Sequence, residues 1–252
     1  MMDTILILVF FLLGTILGSF ANVCIWRLPR GESVVAPPSR CPACGIRLRP
    51  WHLVPVLSWV LLRGRCAACH NSISWRYPFV ELAMGLLFAL IAWQWQLSVQ
   101  SLLYALLTFS LVVAVGTDMS HREVPDEISW GTSAVLAVLV LATQRWDGLV
   151  GGIVLFSVLL LIAVASRGGM GGGDIKLSLA IGLALGWQLG LVALVVAFAS
   201  GGILATVLML RGARGKALPF VPFLAVGSWI AMFWGRWLIE LYLNFSFFLW
   251  GW

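Results

Sequence analysis

Long apolar segments recur along nearly the whole chain and are separated by short polar stretches. Several of them reach the roughly 20 residues that an α-helix needs to cross the hydrocarbon core of a bilayer. Alternating ten-residue segments, which are typical of outer-membrane barrels, are absent from the sequence. The pattern therefore predicts an all-α polytopic membrane protein with about eight transmembrane helices. We place the spans at about residues 5–24, 78–95, 102–117, 128–143, 149–166, 175–186, 190–210 and 219–243.

The composition agrees with this class of protein. Of the 252 residues, 61% are hydrophobic and 10% are charged, whereas soluble domains are about 45–50% apolar and about 25% charged. The formal net charge of +6 reflects the excess of basic residues in cytoplasmic membrane loops. Because these residues form no continuous soluble basic face, we expect no nucleic-acid partner. Residues 1–4 lack the basic region of a signal peptide, which predicts that the first helix is retained.

One long polar segment, residues 25–77, separates the first two spans. It contains eight of the sixteen Lys and Arg residues and a single acid, Glu32. The eight are Arg27, Arg30, Arg40, Arg47, Arg49, Arg63, Arg65 and Arg76. This excess places the segment in the cytoplasm and both termini on the opposite side of the inner membrane. Its apolar stretch, residues 54–62, is too short to span and either lies along the membrane interface or packs inside the segment.

Four of the five cysteines lie in this segment as two Cys-x-x-Cys pairs, Cys41 with Cys44 and Cys66 with Cys69. Two such pairs place four thiolates where one tetrahedral zinc ion can bind them. Disulfides are the competing interpretation, but the cytoplasm keeps thiols reduced. We therefore predict structural zinc, with His52 and His70 as surface residues rather than ligands. The predicted organisation is a first transmembrane helix (1–24), a cytoplasmic zinc module with four cysteine ligands (25–77) and a membrane domain with about seven transmembrane helices (78–252).

Two aspartates mark the ends of apolar segments. Asp118 ends the third span, and Asp174 follows a stretch of five glycines within residues 168–173. Counting spans places both acids on the same, cytoplasmic, membrane face. Two carboxylates that share a site cannot both ionise at low cost, so the pair holds one proton. Such a pair suits peptide hydrolysis, because one carboxylate can activate water while the other polarises the scissile carbonyl.

The sequence supports other catalytic mechanisms, and a transport function, less well than it supports paired carboxylates. His121, the only histidine outside the zinc module, has no evident nucleophile partner, and an HExxH motif is absent. The main alternative is a proton- or ion-coupled transporter that uses Asp118 and Asp174 as a relay. Against it, both acids lie at the ends of spans, whereas transporter sites usually lie near the midplane. Glu81, one turn inside the second span, either has a function, extends its carboxylate to the inner interface, or pairs with an arginine of the polar segment.

Several motifs occur in an order that is specific to one family. They are Gly18-Ser19-Phe20-Ala21-Asn22-Val23 with Arg27-Leu28-Pro29, the two cysteine pairs, Arg76-Tyr77-Pro78 with Glu81, Asp118 with Pro125-Asp126, Gly171-Gly172-Gly173-Asp174-Ile175-Lys176, and Pro219-Phe220-Val221-Pro222-Phe223. Over almost its full length, the chain resembles the bacterial type IV prepilin peptidases, which are membrane aspartyl proteases of the GxGD type.

The resemblance implies a substrate and a second activity. Members of this family remove a short basic leader peptide from prepilins or type II secretion pseudopilins, cutting after a glycine. Asp118 and Asp174 stand at the matching catalytic positions, so residues 78–252 are the expected membrane aspartyl protease domain. Many members also methylate the new N-terminus, using S-adenosylmethionine as the methyl donor. The expected partners are therefore these substrates, the lipid bilayer and the pilus or type II secretion machinery.

Overall fold

A computed structural model describes residues 2–167, 169–212 and 218–250 of the chain. Gly168, the first residue of the glycine stretch, lies outside the described residues. The described part contains α1 (Met2–Arg27), α2 (Leu57–Leu61), α3 (Arg76–Trp95), α4 (Val99–His121), α5 (Asp126–Ala142), α6 (Trp146–Ala165), α7 (Gly172–Leu185), α8 (Trp187–Leu210) and α9 (Val221–Trp250). The predicted all-α class is confirmed, and each predicted span coincides with one of these helices other than α2.

Five of these helices, α1, α3, α4, α6 and α8, are long and apolar enough to cross a membrane. The helix that carries Asp174 is shorter. With 14 residues, α7 is about 21 Å long at 1.5 Å per residue, against about 30 Å of hydrocarbon. The membrane class is therefore confirmed, while the number of eight spans stays a prediction.

The chain divides into two compact units, residues 1–117 and 118–252. In the first unit, α1 and α3 pack against each other where the sequence has small residues. A β-carbon added to Gly14 would lie 2.7 Å from the carbonyl oxygen of Met84, and one added to Gly18 would lie 2.8 Å from the Cα of Glu81. Glycine is required at both positions because the backbones approach too closely for a side chain, which is typical of membrane helices that pack through small residues.

In the second unit, α6 and α7 make an equally close approach. A β-carbon added to Gly151 would lie 2.5 Å from the carbonyl oxygen of Gly182, and one added to Gly182 would overlap the backbone of Gly151. Gly186, with φ of 80°, separates α7 from α8, at the interruption that the sequence indicates. This packing fixes α7, and with it the position of Asp174.

Candidate active site

Asp118 lies near the end of α4 and is buried, with 7% of its surface exposed. Its Oδ2 atom accepts a hydrogen bond of 3.2 Å from the backbone N–H of Val221. Val221 is the first residue of α9, so the positive end of that helix faces the carboxylate. The positive charge of Arg122, one turn further along, also acts on Asp118. The oxygen that Val221 does not bind is available to a second partner.

Asp174 is the third residue of α7 and is also buried, with 9% of its surface exposed. Its own backbone N–H donates to the carbonyl oxygen of Gly171, the residue before the helix, at 3.2 Å, and the carboxylate lies close to that glycine. The negative charge of Asp118 acts on Asp174, so the two carboxylates lie within electrostatic range of each other. Both acids are therefore buried, and the charge of one acts on the other.

Two further contacts join the chain after Asp118 to the residues on either side of Asp174. A β-carbon on Gly173 would lie 2.9 Å from the β-carbon of Val124, so the two backbones approach closely. The Nζ of Lys176 donates to Oδ1 of Asp126 at 2.6 Å. Since Asp126 begins α5 and Lys176 lies in the first turns of α7, this ion pair links the helices next to the site.

The glycines before Asp174 serve different purposes. Gly173 leaves room for Val124, while a β-carbon on Gly172 would meet no atom within 4 Å. Open space beside Gly172 suits the approach of an extended peptide, because a glycine at that position places no side chain in its path. The α7 helix already begins at Gly172, so Asp174 is held by a helix rather than by a free loop.

Glu81 lies in α3 and is buried, with 7% of its surface exposed. Its Oε2 atom accepts a hydrogen bond of 2.7 Å from the backbone N–H of Val56, and the hydroxyl of Ser19, in α1, acts on the same carboxylate. Asn22 makes a similar link, since its Nδ2 donates to the carbonyl oxygen of Tyr77 at 3.1 Å. Glu81 therefore connects the segment between α1 and α3 to both helices.

The four cysteines of that segment converge on one point. The sulfur atoms of Cys41, Cys44, Cys66 and Cys69 all lie within 4.8 Å of one another, and those of Cys41 and Cys69 are 3.9 Å apart. Four sulfurs at about 2.3 Å from a tetrahedral zinc ion would be about 3.8 Å apart. The cluster therefore fits zinc by its donor type and its spacing.

The two cysteine pairs share one backbone conformation. In the first pair, the N–H of Cys41 donates to the carbonyl of Ile46, and in the second the N–H of Cys66 donates to that of Asn71. Isolated antiparallel bridges close the turns between Arg40 and Arg47 and between Arg65 and Ser72. The repeated turn explains how two distant segments present their thiols alike.

The backbone also favours the thiolate form that metals require. The N–H groups of Cys69 and Ala68 donate to the sulfur of Cys66 and lower the pKa of that thiol to about 6. His70 is exposed at the edge of the second turn, and the metal-binding group found in the described residues contains the four cysteines alone.

Sequence reasoning missed two features of the site. It gave no role to Val221 and did not pair Lys176 with Asp126. The first had a usable signal, since Pro222 just inside the start of an apolar segment indicates a helix N-terminus, whose free N–H groups bind anions. The second had none, because the two residues are 50 positions apart.

Comparison with known proteins covers most of the chain. The family model described as Bacterial Peptidase A24 N-terminal domain matches residues 12–95, and the one described as Type IV leader peptidase family matches residues 105–206. No solved structure is a significant match.

Curated relatives match over nearly their whole length. A prepilin leader peptidase/N-methyltransferase from Stutzerimonas stutzeri is 34% identical over 93% of this chain and 92% of its own. Proteins of the same name from Bacillus subtilis and Neisseria gonorrhoeae are 34% and 35% identical, over 94% and 86% of this chain and 98% and 87% of theirs. On this evidence, the chain belongs to the type IV leader peptidase family.

Proposed function

We propose that this protein is a membrane aspartyl endopeptidase that removes the short basic leader peptide of type IV prepilins or type II secretion pseudopilins. The cut is made at the cytoplasmic face of the inner membrane, and the new N-terminus is then N-methylated. One observation carries the proposal: two buried carboxylates, Asp118 and Asp174, lie within electrostatic range of each other in a chain of the type IV leader peptidase family. A transporter has no comparable support, since the matching relatives are named as peptidases.

In this proposal, Asp118 and Asp174 share one proton. The ionised carboxylate takes a proton from a water molecule, whose oxygen attacks the scissile carbonyl carbon. The protonated carboxylic acid donates a hydrogen bond to the carbonyl oxygen and stabilises the charge that develops there. The C–N bond then breaks, and the leaving amine receives a proton from the pair. The space beside Gly172 admits the substrate backbone next to these groups.

The Val221 N–H holds Asp118 in position for this chemistry. It occupies Oδ2 of Asp118 and leaves the other oxygen to the water molecule. The arrangement is independent of the Val221 side chain, because the donor is a backbone group. A substitution that removes only this N–H therefore tests the hydrogen bond.

Val221→Pro is expected to lower kcat/KM for prepilin cleavage by about 10- to 100-fold, the equivalent of a lost hydrogen bond to a charged group. Proline is compatible with the first position of a helix, so α9 should still form. Val221→Ala is the matched comparison, since it shortens the side chain but keeps the donor, and its loss should be clearly smaller. Equal losses in the two variants, measured by initial rates of cleavage in membranes, would count against the positioning role.

The cysteine cluster supplies the metal site of the proposal. Cys41, Cys44, Cys66 and Cys69 would hold one structural zinc ion, which uses all four protein ligands and leaves no open position for catalysis. Zinc would stabilise the module between α1 and α3, and it has no part in the cleavage steps.

The methyl donor, S-adenosylmethionine, would supply the methyl group to the new N-terminal amine. This activity is proposed from the family and the printed names of the relatives, and we assign no residue to it. Pilus or type II secretion machinery would receive the processed product.

Incubation of the membrane-embedded protein with a prepilin and S-adenosylmethionine tests both activities. Mass measurement of the product should show a new N-terminus, and that product should be heavier by one methyl group only when the donor is present. An unprocessed prepilin under conditions in which a known family member cleaves it would contradict the endopeptidase. A cleaved product that stays unmethylated would contradict the second activity alone.

A further inference from the structure

The apolar stretch between the two cysteine pairs has an exposed face. In α2, Leu57, Val60 and Leu61 are spaced so that they share one side of the helix. They are 54%, 57% and 72% exposed. We refer to these three residues as the outer stripe. The sequence allowed this stretch to lie along the membrane or inside the module, and the exposure of the outer stripe excludes burial within the first unit.

Contacts on the other side of α2 fix its orientation. The Nε1 of Trp59 donates to the carbonyl oxygen of Ile73 at 3.1 Å, and the Trp59 ring lies against Gly64. Val56, just before the helix, has φ of 61°, a conformation that a β-branched residue adopts only when its surroundings hold it there. The outer stripe therefore points away from the module in a fixed direction.

The hydrogen bond between the Val56 N–H and Glu81 sets the depth of α2. Glu81 is the sixth residue of α3, so it lies about 7.5 Å along the helix from its first residue. Since α3 is one of the helices able to cross the membrane, the start of α2 lies level with the second turn of a transmembrane helix. An apolar stripe that faces outward from this level of α3 would face lipid rather than water.

Aromatic and basic side chains next to α2 suit the region where lipid headgroups lie. Trp51 is exposed, and the guanidinium of Arg49 lies 5.3 Å from the centre of its ring. Arg47 and Arg49 line a cleft of about 450 Å³ that Leu53 also borders. Tryptophan is enriched at membrane interfaces, and arginines near a membrane surface attract anionic headgroups.

We propose that residues 51–61 form an interfacial membrane anchor for anionic phospholipid. The outer stripe lies among the upper acyl chains, and Arg47 and Arg49 bind the lipid phosphate in the cleft beside them. The anchor holds the cysteine module against the membrane surface, in addition to the link that Glu81 makes between Val56 and α3. A protein partner is disfavoured by the depth of the helix, since that surface would have to be reached within the bilayer.

The test uses the full-length protein in vesicles, with a photoreactive diazirine amino acid in place of Leu61. The matched control has the same amino acid in place of Asn71, an exposed polar residue of the second cysteine turn. Irradiation is followed by mass analysis of the adducts. We expect lipid adducts at position 61 to exceed those at position 71 by about fivefold or more, as for a residue buried in the acyl region.

The headgroup preference is tested in vesicles of equal parts phosphatidylglycerol and phosphatidylcholine. Adducts at position 61 should be enriched in phosphatidylglycerol, and the double variant Arg47→Gln/Arg49→Gln should lose this enrichment while keeping the adducts. Equal lipid capture at positions 61 and 71, or capture of a second protein chain at position 61, would overturn the anchor. If the protein that keeps Arg47 and Arg49 formed adducts equally with the two lipids, the assignment of the cleft to anionic headgroups would be overturned.

Discussion

Asp118→Asn and Asp174→Asn are each expected to lower the rate of prepilin cleavage by about 10³-fold or more, the scale seen when one member of a cooperating catalytic group is removed. Asparagine has nearly the same shape as aspartate but can neither accept a proton from water nor share one with its partner. In the first variant, the amide oxygen of the new side chain could still accept the hydrogen bond that the Val221 N–H donates to Asp118. The variants should therefore fold and insert normally.

The comparison variant is Asp147→Asn. Asp147 is in the first turn of α6, lies 3.8 Å from Arg145 and is half exposed, so the same chemical change there should leave cleavage within about twofold of wild type. Cleavage is followed by the appearance of the shortened prepilin in membranes that contain equal amounts of each variant. Near wild-type cleavage by either site variant would rule out the shared-proton mechanism.

Cys41→Ser/Cys69→Ser is expected to remove the metal. Wild-type protein should contain about one zinc ion per chain, while the double variant should contain almost none, because two of four ligands no longer provide thiolates. Structural zinc contributes about 10–16 kcal/mol of apparent binding free energy in small zinc modules. The segment between α1 and α3 should then be cleaved by added protease faster than in the wild type.

Cys24→Ala is the control for the loss of a cysteine. Cys24 is buried in α1, outside the four-cysteine cluster, so this variant should keep its ion. Metal is measured by elemental analysis of purified protein after dialysis. Full retention of zinc in the double variant would show that the cluster is not the metal site.

The pattern of apolar residues predicted the helices themselves better than it predicted the residues at which they begin and end. All eight predicted spans correspond to helices, because long apolar segments in a bilayer must satisfy their backbone hydrogen bonds internally. The start of α7 was less visible. Glycines weaken helices on average, and the predicted span therefore began only at about residue 175, whereas the structure includes Gly172 and Gly173 in the helix.

The hydrogen-bond partners of Glu81 could not be predicted from the sequence. A carboxylate inside a span indicated a polar partner, and an arginine of the polar segment was one candidate. The structure instead provides the backbone N–H of Val56 and the hydroxyl of Ser19. A backbone donor carries no residue-type signal, so the sequence could not have identified it.

By itself, the sequence determined the membrane class, the two cysteine pairs and the identity of the two acids, since each of these depends on residue type and short-range spacing. Only the tertiary structure decided which groups surround them: the start of α9 at Asp118, the Lys176–Asp126 ion pair, and the outward face of α2. These arrangements depend on helices that are distant in the chain and on backbone groups that every residue carries. Their physical cause is packing, which places such groups together by shape rather than by sequence order.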